Sequence, residues 1–144
     1  MNVMISGSRG LPPLPGQRKR RPLPESVRPF VREVIQNLAP GSTVTHGDAE
    51  GFDKMAEEEA VACGLQTFKF PPEYDKHPPK VAPLIRNEQM AEGPVEVLFA
   101  FAVEESRGTM HAVKCMMKRG KGVILHHFDA EGNFLGFSTP YDLA

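Results

Sequence analysis

The sequence is poor in cysteine and has no long hydrophobic run. Its two cysteines, Cys63 and Cys115, do not make a disulfide framework, and both fall in apolar helical patterns, where a cysteine behaves as a small hydrophobic residue. No apolar run approaches the ~20 residues that span a bilayer, and Met1 is followed by a strand-like stretch rather than by a signal segment. These absences predict reduced thiols, no membrane partner and a cytoplasmic location.

An excess of charge of either sign is also absent. The formal net charge is -1 and 24% of the residues are charged, so overall charge favours neither nucleic-acid binding nor disorder. The basic run Arg18 to Arg21 lies in a proline-rich segment, residues 11–24, and is interpreted as a solvated surface loop. Nucleic acid is therefore not an expected partner, and this loop is the only hint of one.

Side chains with the spacing of a metal site are missing as well. His77 and His111 are isolated, His126 and His127 are adjacent, and the two cysteines lie in separate predicted helices. The sequence therefore predicts neither a metal ion nor an organic cofactor.

What the sequence does contain is an alternation of strand-like and helix-like segments. Apolar runs bounded by turn residues predict five strands, at residues 2–6, 42–46, 65–70, 95–103 and 122–128. Helical spacing predicts four helices between them, the first capped by Ser26, and a turn at 129–133 predicts an edge hairpin. The expected fold is one Rossmann-like α/β domain over residues 1–144, with a mainly parallel sheet of about five strands, helices on both faces and a C-terminal edge hairpin.

Four polar segments would meet at the carboxyl edge of such a sheet. They are residues 7–10, residues 46–53, the proline-rich stretch that contains Arg86 and Asn87, and residues 106–109. In open parallel sheets ligands bind at this edge, where the chain order reverses. Two of the segments are glycine-containing loops that open helices, where backbone N–H groups and the helix dipole favour an anion. A phosphorylated ligand is therefore expected.

Each of these motifs also has a simpler explanation. A glycine turn can serve conformation alone, and Thr109 can cap its helix. Asp48 and Asp53 can favour the N-terminus of a helix, and His46 can satisfy a backbone group at the end of a strand. The convergence of all four segments on one edge is what favours a binding site.

Four short motifs, "ISGSRG", "HGDAEGFDKMAEEEA", "RNEQM" and "SRGTMHAVKCMMKRG", occur in an order that resembles the SLOG superfamily of Rossmann-like nucleotide-binding proteins, and more narrowly its YspA or cpYpsA-related branch. The resemblance covers about residues 2 to 127. It implies a nucleotide or nucleotide-derived ligand, and self-association into a homo-oligomer. It also implies a ligand site lined by Gly7, Ser8, Arg9, His46, Gly47, Gly51, Asp53, Arg86, Asn87, Gly108 and Thr109. Arg107, which stands where the related hydrolases have proline and glycines, offers a charge for phosphate.

The same superfamily contains the LOG-type phosphoribohydrolases, which cleave the N-glycosidic bond of nucleoside 5′-monophosphates. Arg86 matches the arginine of that family's sites. The family's glutamate has no counterpart, because Gly108 and Thr109 are followed by "MHAV". If a carboxylate acts here, Asp53, Asp48 and Glu50 are the candidates, with Asp53 favoured by the motif.

Two functional hypotheses follow from these residues. In the first, the protein is a binding module or sensor for a nucleotide, and Asp53 or Asp48 holds a ribose hydroxyl. In the second, it is a hydrolase of a nucleotide N-glycosidic bond, with Asp53, Arg86 and Asp48 as catalytic residues. The sequence does not decide between them, so it leaves open whether the protein is an enzyme.

Overall fold

The computed structural model, which describes residues 1–140, has six strands and four α-helices; strands and helices alternate except at the end, where two strands are adjacent. The strands are β1 (Asn2–Gly7), β2 (Thr43–His46), β3 (Gln66–Lys69), β4 (Val97–Val103), β5 (Gly122–Phe128) and β6 (Phe134–Ser138). The helices are α1 (Arg28–Gln36), α2 (Phe52–Ala62), α3 (Ala82–Glu92) and α4 (Arg107–Lys118). The predicted α/β class is confirmed; residues 141–144 of the predicted domain lie outside the described residues.

All six strands belong to one sheet, in the order β3-β2-β1-β4-β5-β6. The first five strands pair in parallel, and β6 pairs antiparallel with β5, so the predicted edge hairpin is confirmed. The chain order reverses at β1, which pairs with β2 on one side and with β4 on the other. A crevice therefore opens above the carboxyl ends of β1 and β4, where such sheets bind ligands.

Helices cover both faces of the sheet, as predicted. Val3 and Ile5 of β1 are buried in the core under α1 and α2, whereas Met4 between them is buried in the core under α3 and α4. This alternation follows from the two-residue period of a strand. Phe52 of α2 stacks on Phe101 of β4, with ring centroids 5.1 Å apart, and this contact holds the start of α2 against the sheet.

The first helix starts later than the sequence predicted. Ser26 lies in a single 3-10 turn, and α1 begins at Arg28 without a side-chain cap. Pro29 occupies the first turn of α1, where a residue without an N–H group costs nothing because that group would have no helical partner. The prediction of Ser26 as the N-cap was therefore wrong.

The two cysteines differ in their surroundings. Both are free thiols, but Cys63 is exposed just after the end of α2, whereas Cys115 is buried in α4. The prediction that both behave as core residues is thus wrong for Cys63, because α2 ends one residue before it and its side chain misses the buried face. Among residues 1–140, no helix is both long enough and apolar enough to cross a bilayer.

Candidate functional site

A cavity of about 420 Å³ lies at the carboxyl edge of the sheet, beside the ends of β1 and β4. Its walls come from the loop after β1, the start of α2, one side of α3 and the loop that opens α4. Of the residues predicted to bind a ligand, those that line it are Gly7, Ser8, Arg9, Asp53, Arg86, Asn87, Arg107, Gly108 and Thr109. The topology thus brings together four segments that are far apart in the sequence.

His46 was predicted to line the ligand site but lies outside this cavity. Its ring is fully buried, and its Nδ1 atom accepts a hydrogen bond from the backbone N–H of Asp48 at 3.0 Å. Its Nε2 atom lies 2.7 Å from Glu57 Oε1, and the Glu57 carboxylate also accepts from Thr67 at 3.0 Å. His46 therefore braces the loop after β2 against α2 and β3, which is the simpler of its two expected roles.

Asp48 is also outside the cavity. Its side chain is exposed, and its backbone adopts a φ of 57°, a left-handed conformation that is uncommon for residues other than glycine. Glu104, at the end of β4, has a φ of 53°. Strained residues of this kind collect where loops are shaped for function, and both lie at the carboxyl edge. Among the expected carboxylates, only Asp53 lines the cavity.

Gly47 and Gly51 lie behind the wall of the cavity and allow close packing there. A Cβ atom on Gly51 would lie 2.3 Å from the carbonyl oxygen of Ser8, and Gly51 has a φ of 85°. A Cβ atom on Gly47 would lie 2.0 Å from the guanidinium of Arg86. Both positions therefore exclude a side chain. The sequence predicted that both residues line the cavity, and neither does, because the motif specifies the backbone of the loop.

Arg86 joins three parts of the site from a buried position, with 7% of its surface exposed. Its Nη1 atom donates to the carbonyl oxygens of Gly47 and Phe70, the latter at 3.2 Å, and its Nε atom donates to Asn87 Oδ1 at 3.0 Å. Burial lowers the pKa of the guanidinium, and the charge of Asp53 opposes this effect. The Nη2 atom makes no hydrogen bond within residues 1–140, which leaves it for a ligand.

Asp53 combines burial with an unpartnered oxygen atom. Its Oδ2 atom accepts from the backbone N–H groups of Gly47 and Ala49 at 3.1 and 3.3 Å, whereas its Oδ1 atom has no partner within the described residues. Burial raises the pKa of this carboxyl to about 6, against the lowering effects of His46, Arg86 and the two N–H groups. Such a carboxyl can accept a ribose hydroxyl or act as a base near neutral pH.

Positive charge without a protein partner surrounds the cavity. Arg9, Arg20 and Arg107 line it, and none of them forms an ion pair with any residue in 1–140. The first hydrogen bond of α4 runs from Met110 N–H to the carbonyl of Ser106 at 2.9 Å, so the N–H groups between them point out of the helix end. These guanidinium and N–H groups together form an anion-binding wall.

Comparison with known proteins places the chain in a family and in a fold. It is 33% identical over 89 residues to the Gene 61 protein of Mycobacterium phage D29, an alignment that covers 58% of this chain and 70% of that protein. The chain belongs to the family of that Gene 61 protein. No family model matches it.

A solved structure extends the comparison to the fold. The X-ray structure of TM1055 has a TM-score of 0.60 with 16% sequence identity, and the match covers 85% of this chain and 71% of that one. At this identity the likeness shows the fold alone, and it is that of a Rossmann-like α/β domain.

In this member of the Gene 61 protein family, the proline-rich segment forms a wall of the cavity, which the sequence did not reveal. Leu11 and Arg21 exchange two backbone hydrogen bonds, of 2.8 and 3.0 Å. The Arg21 guanidinium binds both oxygens of Glu131 at 3.0 Å. The loop is thus closed at its base, and Pro12, Pro13 and Arg20 line the cavity. Residues 13–20 are exposed, as expected of a surface loop, but the loop also borders the cavity; the apolar Leu11 directly after Gly10 was the available signal.

Replacement of Gly51 by alanine is expected to lower the free energy of unfolding by about 1–3 kcal/mol. The alanine backbone would be strained at a φ of 85°, and its methyl group would meet the Ser8 carbonyl. Gly108→Ala is the matched control, since a Cβ atom there would have no neighbour within 4 Å. Its stability should change by no more than about 1 kcal/mol. Urea denaturation measures both, and equal destabilisation of the two variants would contradict the close approach of the loops.

Proposed function

We propose that the protein binds a nucleotide or nucleotide-derived phosphorylated ligand at the carboxyl edge of its sheet, as a binding module or sensor. The observation that carries this proposal is the wall of unpaired cations, Arg9, Arg20 and Arg107, beside the open N-terminus of α4. All three residues are exposed and have no carboxylate partner among residues 1–140, and three such cations around a single cavity favour a polyanionic ligand.

The proposal includes membership of the SLOG superfamily and its YspA or cpYpsA-related branch. The motifs quoted from the sequence support it, because most of the residues that they specify surround one cavity. The Rossmann-like fold supports it more coarsely, since that fold hosts many ligands.

The ligand is expected to lie with its phosphates toward α4 and its sugar toward α2. Arg9 and Arg107 would contact the phosphates, together with the N–H groups of the first turn of α4. A ribose hydroxyl would donate to the unpartnered Oδ1 atom of Asp53. The loop residues Pro12 and Pro13 offer an apolar surface to the base. A cavity of about 420 Å³ is within the usual range for small-molecule sites.

A hydrolase of a nucleoside 5′-monophosphate is the second candidate, and the environment of Asp53 is the observation that favours it. With a pKa of about 6, this carboxyl is ionised at neutral pH and close to the optimum for a general base. It would take a proton from water as the water oxygen bonds to C1′ and the base leaves with the electrons of the C1′–N bond. No carboxylate follows Gly108 and Thr109 at the place where a LOG-type enzyme has its glutamate, which disfavours this reading.

A binding experiment with matched variants tests the first proposal. Purified protein is titrated calorimetrically with nucleoside mono-, di- and triphosphates. For the ligand that binds, Arg9→Ala and Arg20→Ala should each lower the affinity about 10- to 100-fold, the range for a lost charge-assisted hydrogen bond. The control is the double variant Arg18→Ala/Lys19→Ala, which removes two exposed charges of the same loop outside the cavity. Affinity that falls equally in the control, or no binding at all, would overturn the proposal.

Turnover separates the two candidates in the same samples. Mass spectrometry of the incubated mixtures detects a free base if the N-glycosidic bond is cleaved. Release of base that Asp53→Asn abolishes while binding persists would make the protein a hydrolase. Retention of the intact nucleotide by wild-type protein would make it a binding module.

Two expectations from the sequence belong to the same proposal. A cytoplasmic location is supported by the two free thiols, which persist in a reducing compartment. Self-association is supported by the exposed side chains Leu135 and Phe137 on the edge strand β6. Sedimentation analysis of purified protein measures the second of these.

A further inference from the structure

Three side chains of metal-ligating type meet where α3 packs on α4. Glu88 belongs to α3, and His111 and Cys115 belong to α4, four residues apart and therefore on one face of that helix. Cys115 Sγ lies 3.2 Å from Glu88 Oε1 and 3.8 Å from His111 Nε2. All three groups offer atoms within 4.8 Å of one another.

We propose that Glu88, His111 and Cys115 form a binding site for one divalent transition-metal ion, for which zinc is the best fit. A tetrahedral zinc ion with ligand bonds of about 2.0–2.3 Å holds its ligand atoms about 3.3–3.8 Å apart. The two separations measured from Cys115 Sγ are already close to that range. The ligand atoms lie within 4.8 Å of one another, so binding requires a shift of about 1 Å at most between Glu88 and His111.

The chemistry of the three donors selects the metal. A thiolate and an imidazole favour zinc and similar transition metals over magnesium and calcium, which prefer oxygen. When the metal binds, the Cys115 S–H group loses its proton to solvent and an S–Zn bond forms; water takes the fourth position. Cys115 is buried but Glu88 and His111 are partly exposed, so an ion reaches the site from the surface.

Neighbouring groups orient the ligands. Asn87 Nδ2 donates to His111 Nδ1 at 3.2 Å, so the neutral ring carries its proton on Nε2. An ion would take the lone pair of Nδ1, which lies 3.7 Å from Cys115 Sγ, in place of this hydrogen bond. Arg119 is bound to Glu88 Oε2, so the other carboxylate oxygen, Oε1, is the one that faces the thiol. The exposed Lys118, 3.0 Å from Oε1, must move aside.

Asn87, which contacts His111, connects the cluster to the ligand cavity. Since Asn87 also lines the ligand cavity, an ion here would fix α3 and α4 behind that cavity.

Cobalt substitution tests this site directly. Full-length protein is titrated with Co²⁺ alone at neutral pH, and the near-ultraviolet charge-transfer absorption of a cobalt–thiolate bond is recorded. Wild-type protein and the control Cys63→Ser, which lacks the other free thiol, are expected to show this absorption at one ion per chain. Cys115→Ser should lack it, and His111→Ala should bind Co²⁺ at least about a hundredfold more weakly.

Competition and stability complete the test. Zn²⁺ should displace Co²⁺ and raise the Tm of wild-type protein, but it should raise the Tm of His111→Ala far less. Because His111 is partly exposed, that variant decides the matter even if Cys115→Ser fails to fold. Folded wild-type protein without thiolate absorption in excess Co²⁺, or absorption that depends on Cys63, would overturn the proposal.

Discussion

Replacement of Arg86 by alanine is expected to lower the free energy of unfolding by about 3–5 kcal/mol, the usual cost of removing one partner from a buried charged network. The change leaves the carbonyl oxygens of Gly47 and Phe70 without their donor. It also removes the positive charge that faces the buried Asp53 carboxylate. Urea denaturation at pH 8 measures the loss, which is a large fraction of the stability of an ordinary domain.

Two comparisons make this result specific to the network. Arg107→Ala removes an arginine that lines the same cavity without an ion pair, so its stability should change by less than about 0.5 kcal/mol. The loss in Arg86→Ala should be smaller at pH 4 than at pH 8, because a protonated Asp53 no longer needs a cation. A loss that is equal at both pH values would show that Asp53 and Arg86 are not coupled.

The free energy of unfolding of wild-type protein is expected to fall by about 3 kcal/mol as the pH rises from 4 to 7, and Asp53→Asn is expected to abolish this fall. The pKa of this carboxyl is raised from 3.8 to about 6 by folding, so between these values the folded state binds more protons than the unfolded state. The protonated Asp53 carboxyl makes its full contribution to the free energy of unfolding below pH 3.8, and this contribution is lost as the pH rises through 6. Denaturation curves of both proteins across this range measure the difference between them.

The stability of Asp53→Asn is subtracted from that of wild-type protein at each pH, because His126 changes stability with pH in the opposite direction. The result is the difference curve. Burial lowers the pKa of His126 from 6.5 to about 4, so its contribution to stability falls as the pH drops between these values. This contribution is the same in both proteins and cancels in the difference. Asp48→Asn, a change of an exposed carboxyl in the same loop, is the control and should leave the wild-type curve unaltered. A flat difference curve would show that Asp53 is not desolvated.

The order of strands and helices could be predicted because it rests on local patterns. The run at residues 95–103 gave β4, and the helical spacing from Phe52 to Ala60 gave α2. The candidate cavity followed in part from topology, since loops at the carboxyl ends of parallel strands share an edge. Which side of a loop each residue faces does not follow from topology, so His46 and Gly51 were expected in the cavity but lie behind it.

Contacts between distant segments account for what the sequence did not disclose. The ion pair of Arg21 with Glu131 spans 110 residues, and it ties the end of the basic run to the turn before β6. Glu88 meets Cys115 across two helices, so no spacing along the chain marks this pair. Neither pairing has a local pattern that predicts it. Ser26 similarly lies in a 3-10 turn, which cap preference alone does not predict.

The walls of the cavity come from segments that are far apart along the chain. The backbone N–H of Val103 donates to Ser8 Oγ at 2.9 Å across 95 residues, and Arg86 reaches back 39 residues to Gly47. During synthesis on the ribosome, a nascent chain therefore has no complete cavity until α4 has emerged. Because such distant pairings form slowly, the cavity should form during refolding only when the central sheet is complete, rather than with the formation of any one helix.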